Sequence, residues 1–143
     1  MRLLARLHEA RERWLSPKAT ERQQRGAAGE AVAERFLRRA GFKILVRRYT
    51  CRYGEADLVA RDADTLVFVE VKTRHSADFG SPAEAVTPEK QLHLSRVALH
   101  YLREIGHPRV PVRFDILEVN DALPKPSCRH LRDAFPLAEP YIY

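Results

Sequence analysis

Two periods organise the apolar positions of this chain. Val32, Ala33, Phe36, Leu37 and Ala40 recur at helical spacing and predict a helix from about Thr20 to Ala40. Gly41 follows where a C-terminal cap belongs. Phe42 to Tyr49 is β-branched and aromatic enough for a strand. Tyr53-Gly54 opens a second strand, GEADLVA, and the polar residues 61–64 read as a turn. Thr65 to Thr73 (TLVFVEVKT) is the strongest strand signal. Together these predict a meander of three antiparallel strands. Gly80, Pro82 and Pro88 mark a loop, with a short helical piece at 82–85. A second helix is expected from Pro88 to Ile105, with Thr87 as its N-cap and Pro88 in the first helical position. Val112 to Val119 alternates as a strand, Pro124 and Pro126 mark a linker, and Arg129 to Phe135 reads as a short edge strand or a turn. Residues 1–19 form a basic, helically spaced appendage (Leu3, Leu4, Leu7, Trp14) broken by Ser16-Pro17, ahead of one domain over 20–143. The order predicts an α/β fold around a mixed sheet.

Alternation along TLVFVEVKT puts Val67, Val69 and Val71 on one face and Leu66, Phe68, Glu70 and Lys72 on the other. Glu70 and Lys72 then stand about 7 Å apart along the strand. If Ala60 pairs with Thr65, Asp57 falls opposite Phe68 and diagonal to Glu70, on the same face. A slip of one residue would send Asp57 to the far face. Two converging carboxylates repel when both are ionised, and a divalent cation relieves that repulsion. Oxygen donors suit Mg2+ or Mn2+. A lysine beside such a pair can orient water and steady charge developing on a phosphate. Glu30 lies on a semi-buried helical stripe with Ala27, Ala33 and Leu37, where an acid calls for a metal, a water or a basic partner. The run Gly26-Ala27-Ala28-Gly29 keeps the helix slim there. Each of these residues alone has a bland reading, as a salt pair, a turn acid or a solvated acid. The ordered combination is what points to metal-dependent phosphodiester chemistry.

Charge strengthens the case. The 143 residues carry a formal net charge of +6, with a pI near 9.7, which favours polyanionic partners. Between Glu34 and Arg52 there are seven Lys/Arg (Arg35, Arg38, Arg39, Lys43, Arg47, Arg48, Arg52) against one acid. Arg74, beyond Lys72, and Lys90, opening the second helix, extend the set of candidate phosphate contacts. Asp115 reads either as support for the site or as an edge acid. No apolar run approaches the roughly 20 residues of a membrane helix, and the N-terminus lacks the apolar stretch of a secretory signal. A cytoplasmic protein without a membrane partner is expected. Cys51 and Cys128 are expected to be reduced thiols.

The pattern Gly29-Glu30, RYGEADLVA (52–60), VFVEVKTR (67–74), Gly80-Ser81-Pro82 and Arg113-Phe114-Asp115 resembles the YraN-like family of bacterial proteins, from about Gly26 to Phe135. That family is similar to the restriction-endonuclease-like (PD-(D/E)xK) superfamily, near archaeal Holliday junction resolvases. The resemblance implies a three-layer α/β/α core with a central mixed sheet. It implies Asp57 and Glu70 as metal ligands, the Val71 carbonyl as a third, Lys72 as the catalytic lysine and Glu30 as the helix acid. This chain has Arg48 where that family commonly carries Asn, and Ala56 where Ile is usual. The implied activity is Mg2+-dependent (or Mn2+-dependent) endonucleolytic hydrolysis of DNA, including branched or damaged DNA. A non-catalytic nucleic-acid-binding protein of the same fold, or a nuclease acting on RNA, stays open. Arg47, Arg48, Arg52, Arg74 and Lys90 are the expected nucleic-acid contacts. A homodimer is left open, with the apolar Pro140-Tyr141-Ile142-Tyr143 as one candidate interface.

Overall fold

A computed structural model describes residues 21–75, 86–121 and 125–138. The appendage, the 82–85 piece and the 140–143 tail lie outside the described residues. The order is α1 (Glu21–Arg39), β1 (Lys43–Cys51), β2 (Gly54–Asp62), β3 (Thr65–Arg74), α2 (Pro88–Glu104), β4 (Val112–Asn120) and β5 (Ser127–Phe135). The five strands form one sheet in the order β1-β2-β3-β4-β5. Every neighbouring pair is antiparallel except β3–β4, which α2 joins by a parallel crossover. The predicted meander and mixed sheet are therefore present. β5 is a full strand, longer than the short edge piece expected at Arg129–Phe135.

The predicted punctuation is present too. Gly41 (φ +93) ends α1, and the next amide, Phe42 N–H, reaches back 2.9 Å to the Leu37 carbonyl. Thr87 caps α2, its hydroxyl accepting from Lys90 N–H at 3.2 Å.

Both faces of the sheet are covered, giving three layers. Leu58, Ala60, Val67, Val69, Leu117 and Val119 pack with Ala33 and Leu37 of α1 and with Phe42. Leu66, Phe68, Phe114 and Ile116 pack with Leu94, Val97, Ala98 and Tyr101 of α2. Burial of each large side chain, such as Leu37, Leu58, Phe68 or Leu117, contributes about 1.5–3 kcal/mol. No described helix is long and apolar enough to cross a membrane.

Candidate active site at the fork of two strands

The hairpin β2–β3 carries the acids. Its ladder runs from Asp62↔Thr65 to Leu58↔Val69. The strands reach two residues further into the 61–64 segment than expected, and only Ala63-Asp64 turn, with Ala63 at φ +54. A two-residue turn with positive φ matches the twist of the strands it joins. Phe68 therefore pairs with Val59, not with Asp57. The offset is two residues, so Asp57 keeps its predicted face and moves level with Glu70 instead of diagonal to it. The ladder stops just before this position. The next donor on β3, Val71 N–H, bonds the Asp57 carboxylate at 2.8 Å. The side chain thus takes the place of a strand carbonyl, and the two strands part around it.

Burial raises the Asp57 carboxyl to about 8; the negative charge of Glu70, and to a lesser degree that of Glu30, push the same way, while the Val71 N–H opposes them. Glu70 is buried and pairs with the ammonium of Lys90 from the first turn of α2. Glu30 projects from α1 and binds Arg48 Nε at 2.7 Å. Burial lifts its carboxyl above the usual value, and Arg48 offsets part of that rise. The basic partner anticipated for Glu30 is therefore Arg48. That arginine sits at φ +50, in the left-handed region that Asn tolerates better than other side chains. Beyond it, β1 presents Tyr49 to the α2 layer, while Arg47 and Arg48 both meet glutamates of α1.

α1 comes very close to β3 at this end. A Cβ on Gly29 would lie 2.2 Å from Thr73 Oγ1, so any other residue here would force the Thr73 side chain to move. The small-residue run in α1 is what brings Glu30 to the margin of the site.

Lys72 lies two residues beyond Glu70 on the same strand face. It is half-buried and makes no ion pair within 4 Å among the described residues. The other expected phosphate contacts are distributed unevenly. Arg47 is spent on Glu34 (Nε–Oε2 2.6 Å), Arg48 on Glu30 and Lys90 on Glu70. Arg52 is exposed over the Tyr53 ring. Arg74 approaches Glu118, with Nη2 4.0 Å from Oε1. Asp115 belongs to neither the site nor an open edge. It is fully buried among Arg113, His130 and the Asp133 N–H, toward the α1 layer.

Sequence reasoning passed over Glu118 and Arg129. Glu118 is fully buried and accepts from Arg129 Nη2 at 2.6 Å. Its signal was an acid on the apolar face of VRFDILEV, in line with Phe114 and Ile116.

As for a metal, the donor set is two carboxylates and no thiol or imidazole. No group of three or more His, Cys, Asp or Glu is close enough to hold an ion among the described residues. Two oxygen side chains suit a hard cation that keeps several waters, such as Mg2+, better than zinc.

The class these features define is a mixed-sheet α/β protein with a carboxylate pair, one buried and one half-buried, where two strands fork. The chain belongs to the uncharacterised protein family UPF0102, whose pattern it matches over residues 29–119. It is 52% identical over 99 residues to a UPF0102 protein of Nocardia farcinica, covering 69% of this chain and 78% of that one. A UPF0102 protein of Rhodococcus jostii is 48% identical over 111 residues, covering 77% and 94%. One from Syntrophus aciditrophicus is 43% identical over 121 residues, covering 83% and 94%. The YraN-like resemblance holds as membership of this family. The matched span takes in Glu30, Asp57, Glu70, Lys72 and Glu118, and stops short of Arg129.

Proposed function

We propose that this protein is a metal-dependent endonuclease that hydrolyses phosphodiester bonds of DNA, with Asp57 and Glu70 holding a Mg2+ or Mn2+ ion. The observation that carries the reading is the placement of a half-buried and a buried carboxylate, Asp57 and Glu70, level with each other at a strand fork, with Lys72 next on the same face. Two acids side by side, one of them with its carboxyl pushed well above the usual range, are costly to keep unless a cation or a proton at that place is part of the function. A bound Mg2+ or Mn2+ supplies Lewis acidity toward phosphate and makes water a better nucleophile at neutral pH.

The chain's own groups have separate tasks. The Val71 N–H fixes one Asp57 oxygen, the other is the expected metal donor beside Glu70, and the Val71 carbonyl is the expected further donor. Lys72 orients the attacking water and steadies negative charge growing on the phosphoryl oxygens. Lys90, now paired with Glu70, would have to give up that carboxylate for Glu70 to hold a cation. The likeness of the GEADL and FVEVKTR segments to the restriction-endonuclease-like superfamily supports the same roles, as does the basic charge. A cytoplasmic setting and a substrate of branched or damaged DNA belong to this proposal.

A second reading has its own support. Lys90 on Glu70 and Arg48 on Glu30 already neutralise acids of the cluster, as a non-catalytic binding protein would require. One experiment separates the two. Duplex, flap, four-way-junction and single-stranded DNA, and RNA, are incubated with Mg2+, Mn2+ or chelator. Wild type is expected to cut, and Asp57→Asn and Lys72→Ala to lose about 100-fold or more of the rate. Mg2+ should raise the Tm of wild type and leave that of Asp57→Asn unchanged. Binding without cutting, with no Mg2+ effect on Tm, selects the binding protein. Cleavage of RNA alone moves the substrate class. Cutting that persists in both variants removes Asp57 and Lys72 from the chemistry.

A further inference from the structure

The sequence places the richest basic run on α1 and β1, yet three of its seven cations are engaged by acids of α1. Arg47 and Arg38 both bind Glu34, and Arg48 binds Glu30. The cations that share the strand face of Glu70 lie on the opposite side of it, across β3, β4 and β5. Lys72 is in register with Glu118, and Glu118 with Arg129. Three adjacent strands thus form a row Lys72–Glu118–Arg129, with about 10 Å between its two cationic ends at the usual strand spacing. Arg74 stands two residues beyond Lys72 on the same face.

Glu118 is the unusual member. It is an acid with no exposed surface beneath a basic row, and its Oε2 binds Arg129 at 2.6 Å. Arg74 lies on its other side at 4.0 Å, too far for a hydrogen bond. Arg74 Nε and Nη2 are buried and make no hydrogen bond, nor does Glu118 Oε1. Nε and Nη2 are the two donors of one guanidinium edge, and that edge is turned inward, with Nη2 toward Glu118, so a phosphate meets the outer part of the group. Buried polar atoms left in this state point to a missing water or ligand. Solvent still reaches both arginines, whose side chains are 26% and 34% exposed.

We propose that the backbone of a nucleic-acid strand leaves the Asp57–Glu70 site across β4 toward β5, with its phosphates held by Lys72, Arg74 and Arg129 over a buried Glu118 that positions the two guanidinium groups. This rests on the nucleic-acid reading above and replaces the β1 path that the sequence suggested. Glu118 is a positioning residue: it holds two like-charged groups side by side that would otherwise splay apart.

The test is fluorescence anisotropy of labelled single-stranded and duplex DNA and RNA, with the full chain in chelator, over a series of salt concentrations. Arg74→Gln and Arg129→Gln should each weaken binding about 3- to 10-fold and lower the salt slope by about one ion, while Arg47→Gln binds like wild type. Glu118→Gln gives the sharper sign. Removing a negative charge from a basic surface should tighten polyanion binding, whereas loss of a positioning acid weakens it. Weakened binding by Glu118→Gln that still melts cooperatively supports the proposal, and tighter binding overturns the positioning role. If that variant does not fold, the half-buried Arg129→Gln decides, provided that it melts cooperatively. Wild-type affinity in Arg74→Gln and Arg129→Gln, with loss in Arg47→Gln, overturns the path and leaves the nucleic-acid reading standing. No salt-dependent binding of wild type to any of the probes overturns both.

Discussion

Gly29 shows how one missing methyl group sets the distance between two layers. In a solvated helix, Gly→Ala adds about 1 kcal/mol of helix stability. At position 29 the added carbon would meet Thr73 Oγ1 at 2.2 Å, with Thr73 Cβ at 3.4 Å behind it. The second distance is ordinary contact, so the cost is that of turning the Thr73 hydroxyl out of this close approach. Gly29→Ala is expected to lower stability by about 1–3 kcal/mol in chemical denaturation. In a Thr73→Ala background the same change should turn neutral or stabilising. Equal losses in both backgrounds would mean that the close approach is not what Gly29 serves. The spacing of Gly26 and Gly29 already hinted at a slim helix. Its partner Thr73 was hidden, because nothing in a sequence says which strand a helix will touch.

β5 illustrates the opposite case, an element whose reason to exist lies in other elements. Its sequence, SCRHLRDAF, alternates poorly, and from Arg129 to Phe135 it reads as a short edge strand or a turn. What holds it is Asp115 on β4. The two oxygens of that fully buried carboxylate accept from Arg113 (2.8 and 3.0 Å), His130 Nε2 (2.7 Å) and Asp133 N–H (3.0 Å). Arg113 also reaches Asp62 at the end of β2. Burial pushes the Asp115 carboxyl upward, but the hydrogen bonds from His130, Arg113 and Asp133 outweigh it and hold it below the ordinary carboxylate value. A lowered native pKa contributes stability that is complete above the unfolded value of about 3.9 and is lost as pH falls through the native one. Asp115→Asn should therefore cost on the order of 3 kcal/mol at neutral pH, with a difference from wild type that shrinks as pH drops below about 4. Urea melts between pH 2 and 7 measure this. A difference independent of pH would assign the loss to packing. The helices and the first four strands were legible because each carries its own period or cap. The Asp57–Glu70 pair was legible because both acids belong to one hairpin, although the register needed the turn geometry to be right. β5, Glu118 and the partners of Arg47 and Arg48 were not, since each depends on side chains distant in the chain.

Taken whole, the molecule divides its charge in a way that net charge conceals. Arg38, Arg47 and Arg48 on the α1 side are matched to glutamates of that helix, whereas Arg74 and Arg129 flank the buried Glu118. The position of the fork at one end of the sheet leaves it between these two regions. The sheet order also has a temporal side. β1, β2 and β3 are joined by tight turns, so their contacts close short loops. Leu66 must wait for Val112, which arrives only after α2. Short loops close at lower entropic cost, so the meander should form in the folding transition state, with β4 and β5 docking later. Leu58→Ala and Val67→Ala are then expected to slow refolding, and Leu131→Ala chiefly to speed unfolding, in stopped-flow chevron measurements. The reverse pattern would mean that the parallel pair nucleates the sheet. On a ribosome, the same order would bring Asp57 and Glu70 together before Lys90 has been made, so the two acids meet first as an unneutralised pair that the rest of the chain must then accommodate.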